Sequence, residues 1–292
     1  MGGAVLGGYF QDRVGRRWSL VAGSLFSAVG VAICYISYLP SAIDSRRAVF
    51  FAGKFLQGAA IGMVMATTQT YKSEIVPAIL RGPIMAFFPV FTLLGQLTGA
   101  IVIFANLNRF RGYTICFASQ WPFSFVPIVV AMLIPESPTY LVRKGRIEDA
   151  LRSQTRLSAT PEKAKSMVEN IQLDIQHETS LTTKASYKEC WNGVNARRSW
   201  IIVFANSLPN LFGLTLMAKA SYFMQIVGMG ATNSVLFLIL GIVLGLLGNF
   251  GSIWVVSRFG RRPLTVNTLS ISALLWLGMG IAGCWKGVVT IW

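Results

Sequence analysis

Charged residues are scarce in this 292-residue chain, and the side chains that build catalytic or metal sites are scarcer still. Only 13% of the residues are charged, whereas a soluble domain carries about 25%. There is one histidine, His177, and the four cysteines show no paired spacing. This composition offers no nucleophile–base set, no cluster of metal ligands and no phosphate-binding loop. The sequence therefore predicts a protein that is not an enzyme and that uses no metal and no cofactor.

The scarcity of charge leaves long apolar runs, of which the longest exceed 20 residues. A run of about 20 apolar residues crosses a bilayer as a helix, which satisfies its own backbone hydrogen bonds in lipid. The pattern predicts an all-α membrane protein. The predicted spanning helices cover about 18–39, 48–70, 82–107, 112–134, 199–227, 231–256 and 264–285, with a partial helix over 1–11 and the start of another after 285.

Positive charge is abundant but unevenly placed. The chain has 26 Lys and Arg against 11 Asp and Glu. With residues 12–17 on the inner side, the inner segments hold 19 of the basic residues and the outer segments hold 5. This bias is the positive-inside signature of a multi-pass membrane protein, and it argues against a nucleic-acid partner. It places the polar stretch 135–198 in the cytoplasm, where 147–156 and 161–176 have helical apolar spacing.

A short basic motif occurs twice, each time after an apolar run. The first copy is Asp12–Arg17 and the second is Ser257–Arg262, 245 residues further along the chain. Two copies at this distance in so apolar a chain indicate two related membrane halves. The glycine in each copy permits a tight turn between two spanning helices.

The two motifs predict an inner gate. Their arginines can hold the turn at the anionic inner leaflet and can pair with two carboxylates, Glu74 and Glu136. Such a cluster holds the inner ends of two helix bundles together in one state and releases them in the other. The alternative is that the motifs only anchor the topology. The predicted gate residues are Asp12, Arg13, Gly15, Arg16, Arg17, Glu74, Glu136, Arg258, Gly260, Arg261 and Arg262.

Five segments, in order along the chain, resemble signature motifs of the sugar porters of the major facilitator superfamily. They are GGYFQDRVGRR (7–17), GKFLQGAAIGM (53–63), YKSEIVPAILRG (71–82), PESPTYLV (135–142) and RFGRRPL (258–264). Glu74 and Arg81 stand at signature positions of the third segment, so the resemblance adds Arg81 to the gate. A narrower resemblance to the fungal α-glucoside (maltose-type) permeases is carried by 68–71, 86–97, 117–121, 187–198 and 221–225.

The resemblance implies a truncated major facilitator fold with about 8 of 12 spanning helices. Residues 1–134 would form the N-terminal half from a partial helix 2 through helix 6, and 135–198 the cytoplasmic helical linker. Residues 199–292 would form part of the C-terminal half, helices 7 to 9 and the start of 10. We expect the chain to be an incomplete copy of a larger protein.

The function implied by the resemblance is secondary active transport of sugars. The expected activity is proton-coupled uptake of α-glucosides such as maltose by alternating access, by a monomer in the plasma membrane. Its partners would be the sugar, protons and the lipid bilayer. Two alternatives remain open: an inactive truncated fragment, and a sugar sensor of the same fold that does not transport.

Candidate sugar contacts are few. Sugars are bound by amide and hydroxyl groups, often with an aromatic ring against the sugar face. Gln96 matches the glutamine of the family's sugar site, and Asn210 and Thr215 lie near the family's polar positions on the seventh helix. Tyr222 is a candidate for the ring contact. The alternative for each is a polar group that bonds across a helix interface.

Overall fold

The computed structural model describes residues 2–158, 160–182, 190–211, 220–226 and 228–284, and each regular element in these ranges is a helix. Helices α1 to α6 are Gly2–Val14, Arg16–Ile36, Ile43–Ile75, Ala78–Asn106, Gly112–Ala118 and Trp121–Leu133. Helices α7 to α9 are Pro138–Arg143, Ile147–Leu157 and Pro161–Thr182. Helices α10 to α13 are Gly193–Leu211, Ala220–Ile226, Ala231–Phe259 and Arg261–Cys284.

Within the described residues, six helical segments are long and apolar enough to cross a membrane. They are Arg16–Ile36, Ile43–Ile75, Phe87–Asn106, Gly112–Leu133, Ala231–Ser252 and Arg262–Ile281. Each coincides with a run predicted from the sequence, so the all-α membrane fold is confirmed. The longest, α3, has 33 residues, which at 1.5 Å per residue is about 50 Å and exceeds the hydrocarbon thickness of a bilayer. Its ends therefore extend into polar surroundings, and Glu74 lies in its last turn.

The predicted helix over 112–134 is interrupted. Helix α5 ends at Ala118 and α6 begins at Trp121, with the Ser119 amide donating to the carbonyl of Ile115 (2.9 Å). Pro122 lies in the first turn of α6. It has no N–H to donate, and its ring would clash with the carbonyl four residues earlier in a continuous helix. The prediction missed this break because the apolar run continues through it.

Small residues allow α1, α2 and α3 to approach closely. A Cβ built on Gly62 of α3 would lie 2.9 Å from the Ala4 amide nitrogen of α1. Gly30 of α2 and Gly53 of α3 face each other, and a Cβ on either would lie 3.1 Å from the other's carbonyl oxygen. Glycine at these crossings permits backbone contact, which is how spanning helices pack when lipid offers no hydrophobic driving force.

Polar side chains join the same helices in pairs. The hydroxyls of Ser19 and Thr67 lie 3.0 Å apart, and both residues are fully buried. Gln11 donates to Thr70 (3.3 Å). The hydroxyls of Ser27 in α2 and Ser124 in α6 lie 3.2 Å apart. Hydrogen bonds of this kind between spanning helices fix the register of one helix against another.

The polar stretch contains three helices that pack on one another. Tyr140 and Leu141 of α7 form a buried cluster with Ala150 of α8 and Val168 of α9. The apolar spacing over 147–156 and 161–176 predicted helices there, and α8 and α9 occupy these positions. Helix α9 begins at Pro161, whose fixed φ suits the first helical position, and the Ala164 amide donates to the Thr160 carbonyl (3.2 Å).

The contacts of the described residues divide the chain into two units. One unit contains α1 to α3, the beginning of α4 up to Met85, and α5 to α9. The other contains α4 from Ala86 onward with α10 to α13. In this second unit Ser221 and Gln225 of α11 both bond to Ser234 of α12, at 2.9 and 3.0 Å. The division at residues 134 and 198 expected from the sequence stays a prediction.

The glycine crossing between α1 and α3 yields a test with an internal control. Gly62→Val should lower the free energy of unfolding by about 1–3 kcal/mol because the side chain meets the α1 backbone. Gly58→Val, one turn earlier on the same helix, should change it little beyond helix propensity, because a Cβ there has no described atom within 4 Å. Thermal unfolding in detergent measures both. Equal melting temperatures for the two variants would contradict the crossing.

Candidate functional site

The turn between α1 and α2 depends on Gly15. Its backbone has φ 110° and ψ 165°, a conformation that L side chains rarely adopt. A Cβ at this position would also lie 2.5 Å from Glu136 Oε2 and 3.2 Å from the ring of Tyr140. Glycine is therefore required here for two independent reasons, the backbone conformation and the space taken by the Glu136 carboxylate.

The Glu136 carboxylate caps the N-terminus of α2. Its Oε1 accepts hydrogen bonds from the amides of Arg16 (2.8 Å), Arg17 (3.1 Å) and Ser137 (3.0 Å). Gly15 stands at the N-cap position without a side chain to offer. The first amides of a helix lack internal partners and carry partial positive charge, so a carboxylate stabilises them. Here the carboxylate comes from a segment 120 residues further along the chain.

Arg16 and Glu74 form a buried ion pair. Arg16 Nε and Nη2 donate to the two carboxylate oxygens of Glu74 at 3.1 and 2.8 Å. The side chains are 5% and 12% exposed. Arg16 Nη1 also donates to the Gln11 carbonyl (3.2 Å) and lies 3.4 Å from Asp12, which is 69% exposed. The two parallel bonds match the guanidinium fork to the carboxylate, the strong form of this interaction.

Ser137 and Tyr140 complete the cluster. The Ser137 hydroxyl donates to Glu74 Oε2 (2.5 Å), and the Tyr140 hydroxyl donates to the Arg13 carbonyl (2.9 Å). The Arg16 guanidinium lies 5.0 Å from the centre of the Tyr140 ring. Both residues belong to the PESPTYLV segment, of which only Glu136 was predicted as a gate residue. We call Gly15, Arg16, Glu74, Glu136, Ser137 and Tyr140 the charge cluster.

The other two arginines of the motif have separate contacts. Arg17 donates to the carbonyls of Ala131 (3.2 Å) and Met132 (2.6 Å), near the C-terminal end of α6. Cations are favourable there because the last carbonyls of a helix carry partial negative charge. Arg13 is exposed and stacks its guanidinium 4.4 Å from the ring of Tyr9. The motif thus ties α2 to α3, α6 and α7 within one unit.

The second motif has a similar backbone and different surroundings. Gly260, between α12 and α13, has φ 77°, and Arg258 and Arg262 are exposed. The side chains of Ser257 and Arg261 lie outside the described part of the structure. Residues 184–292 contain one acidic residue in sequence, Glu189, which also lies outside it. The carboxylates that build the charge cluster around Gly15 have no counterpart near Gly260 in the sequence.

The predicted sugar contacts are only partly described. Gln96 lies exposed on α4, and Tyr222 lies exposed on α11 of the same unit. Asn210 is in α10 and Arg81 in α4, but neither side chain is described, and Thr215 lies outside the described residues. Their roles as substrate or gate residues stay predictions.

The chain matches one family model along almost its whole length. The family model described as sugar (and other) transporter matches residues 1–290. The chain belongs to the sugar transporter family. It is an integral membrane protein that crosses the bilayer several times, and its family is one of transporters, not enzymes.

Two yeast permeases are similar to this chain along nearly all of its length. A maltose permease of Saccharomyces cerevisiae is 28% identical over 97% of this chain, and an alpha-glucosides permease of the same species is 30% identical over 97%. These alignments cover 47% and 48% of the two relatives. The chain therefore spans about half the length of the curated sugar transporters that it matches.

Solved structures share the fold. The major facilitator superfamily proton:xylose symporter XylE, bound to 6-bromo-6-deoxy-D-glucose, has a TM-score of 0.77 at 22% identity. The match covers 90% of this chain and 58% of that one. A partially occluded inward-open form of XylE from E. coli has a TM-score of 0.67. This sugar transporter chain thus adopts part of the major facilitator fold, as predicted.

The turn glycine gives a second test. Gly15→Ala should destabilise the protein more than Gly145→Ala, because both positions have positive φ but only Gly15 faces the Glu136 carboxylate. Strain at a positive φ costs about 1–3 kcal/mol in either variant; displacement of Glu136 adds to it only at position 15. Thermal unfolding of the purified variants makes the comparison. A Gly145→Ala protein as unstable as Gly15→Ala would show that backbone strain alone decides.

The buried ion pair between Arg16 and Glu74 gives a third test. Glu74→Gln should cost about 3–5 kcal/mol because it leaves Arg16 charged and buried without its carboxylate. Glu178→Gln is the matched control, since Glu178 pairs with Arg143 at 3.1 Å and both side chains are more than half exposed. An exposed pair contributes about 0–1 kcal/mol. If denaturation curves of the two variants coincide, the Arg16–Glu74 pair is not a determinant of stability.

Proposed function

We propose that this chain forms part of a secondary active transporter that takes up an α-glucoside such as maltose together with protons. The observation that carries the proposal is the similarity to the maltose and alpha-glucosides permeases along 97% of the chain. Proton coupling is proposed by analogy with the proton:xylose symporter, whose fold the chain shares.

The inner gate belongs to the same proposal. Arg16 and Glu74 are held in a buried, bidentate pair at one end of the spanning helices. An ion pair of this kind has two discrete states, made or broken, which suits a conformational switch. All contacts described for the charge cluster lie within one unit of the chain. While the pair is made, the cluster holds α2, α3 and α7 as one block; breaking the pair during alternating access would release α2 from α3.

The setting of the transporter is also inferred. The excess of Lys and Arg in the segments on the side of residues 12–17 supports a cytoplasmic position for 135–198, which contains α7 to α9. An importer of external glucosides has its place in the plasma membrane. The substrate partner is a sugar, and the protein acts as a monomer in the lipid bilayer.

Gln96 is proposed as a substrate contact. It is an exposed amide on α4, a helix that otherwise carries few side chains able to bond two sugar hydroxyls at once. Thr98 lies on the same helix and is also exposed, but its hydroxyl donates to the Leu94 carbonyl of its own helix (2.9 Å). Comparing substitutions of Gln96 and Thr98 therefore distinguishes the loss of a sugar contact from a general effect on the helix.

The experiment is uptake of radiolabelled maltose by yeast cells that lack their own α-glucoside permeases and express the protein containing this chain. We expect accumulation that an acidic medium stimulates and a protonophore abolishes. Gln96→Ala should raise the KM roughly three- to tenfold, the loss expected for one hydrogen bond, and Thr98→Ala should leave it unchanged. Cells that express the protein at the surface and accumulate no α-glucoside would overturn the proposed function.

A further inference from the structure

A cavity lies beside the charge cluster and shares Glu136 and Tyr140 with it. Its volume is about 360 Å³, and it opens between the first turn of α2 and one face of α8. Arg17 lines one side, and Arg146, Arg152 and Arg156 line the other. We call it the arginine cavity. Its walls are held together by the buried cluster that packs α7 against α8 and α9.

The positive charge of the cavity exceeds the carboxylates that face it. Two carboxylates, Glu136 and Asp149, line it together with the four arginines. Glu136 is occupied by the amides of α2. Asp149 lies 2.8 Å from Arg146 and 3.8 Å from Arg152, so one carboxylate serves two guanidinium groups.

The remaining two arginines keep their charge available. Arg17 donates to neutral main-chain carbonyls. Arg156 is exposed and stands one helical turn after Arg152 on the same face of α8. Guanidinium groups that converge on a cavity with surplus positive charge recognise a phosphate through paired N–H donors.

The position of the cavity selects the source of the phosphate. Helix α2 begins at Arg16 as a spanning segment, and α6 ends as one at Leu133, so the cavity lies where the protein leaves the bilayer. Val14 and Trp18 line it as well and are 43% and 54% exposed. Tryptophan is typical of the membrane–water interface. A basic wall with an apolar rim at this level fits a molecule with a charged head and a lipid body.

We propose that the arginine cavity binds the phosphorylated headgroup of an anionic phospholipid. Basic pockets at the inner ends of spanning helices bind such headgroups in membrane proteins. The ligand chemistry is a phosphate group, which a free sugar phosphate or inositol phosphate also carries.

The test counts lipids bound to the purified full chain by native mass spectrometry after incubation with phosphatidylinositol 4-phosphate or with neutral phosphatidylcholine. The double variant Arg152→Ala/Arg156→Ala should bind the anionic lipid about tenfold more weakly, since each arginine near a charged membrane surface contributes to its attraction. Both side chains are exposed and outside the core, so the variant retains the fold. Arg143→Ala is the matched control, because Arg143 is exposed on α7, pairs with Glu178 and does not line the cavity.

A soluble arm uses inositol 1,4-bisphosphate, the free headgroup. Tight retention of the lipid and weak binding of the free headgroup support the proposal. Equal affinity for the free headgroup identifies the cavity as a phosphate site filled from solution, and the membrane source is then wrong. Equal loss of lipid in Arg143→Ala and in the double variant, or retention of phosphatidylcholine as strong as that of the anionic lipid, would overturn the proposal. Failure of maltose uptake has no bearing on these results, since the assay measures lipid alone.

Discussion

The carboxylates of Glu74 and Glu136 hold the turn between α1 and α2, and the architecture of the first unit depends on them. Removing two carboxylates and an arginine from water is costly, and a buried pair repays that cost only with good geometry and full hydrogen bonding. Both conditions are met here. Glu74 accepts two bonds from Arg16 and one from Ser137, and Glu136 accepts the first amides of α2. A spanning helix that starts at a glycine thereby obtains a cap from elsewhere in the chain.

This constraint explains why α7 to α9 are ordered against the membrane-spanning helices. Glu136 and Ser137 immediately precede α7, so the residue that caps α2 also stands at the start of the α7 to α9 segment. The Tyr71 hydroxyl of α3 donates to the Pro135 carbonyl (2.7 Å) and holds the same segment from the other side. Tyr140 then reaches back to the Arg13 carbonyl. The arginine cavity is a consequence, because α8 can lie beside Arg17 only when α7 is held at the start of α2.

Much of this was predictable from the sequence, for reasons that differ between residues. Long runs without charge predict spanning helices because lipid leaves the backbone no alternative, and six of the seven predicted runs are observed as helical segments long enough to span a bilayer. Residues 212–219 of the seventh, over 199–227, lie outside the described part of the structure. The break before Pro122 was missed because the apolar run continues through it, and hydropathy does not show the steric effect of a single proline ring. Glu74 and Glu136 were found through their charge in an otherwise apolar chain. Ser137 and Tyr140 carry no such signal, since a serine or tyrosine near a helix start is common. The arginine cavity joins residues more than 120 positions apart, a proximity that spacing along the chain does not contain.

Arg16 and Glu74 act as one buried unit, and a double-mutant cycle tests this coupling most directly. The free energy of unfolding is measured in detergent for the unmodified chain, Arg16→Gln, Glu74→Gln and the double variant. We predict that each single change is severe and that the double change is milder than their sum, with a coupling of about 2–3 kcal/mol for groups that share one network. Single effects that add to the double effect within about 0.5 kcal/mol would show that the two side chains act independently, and the account of the turn would then be wrong.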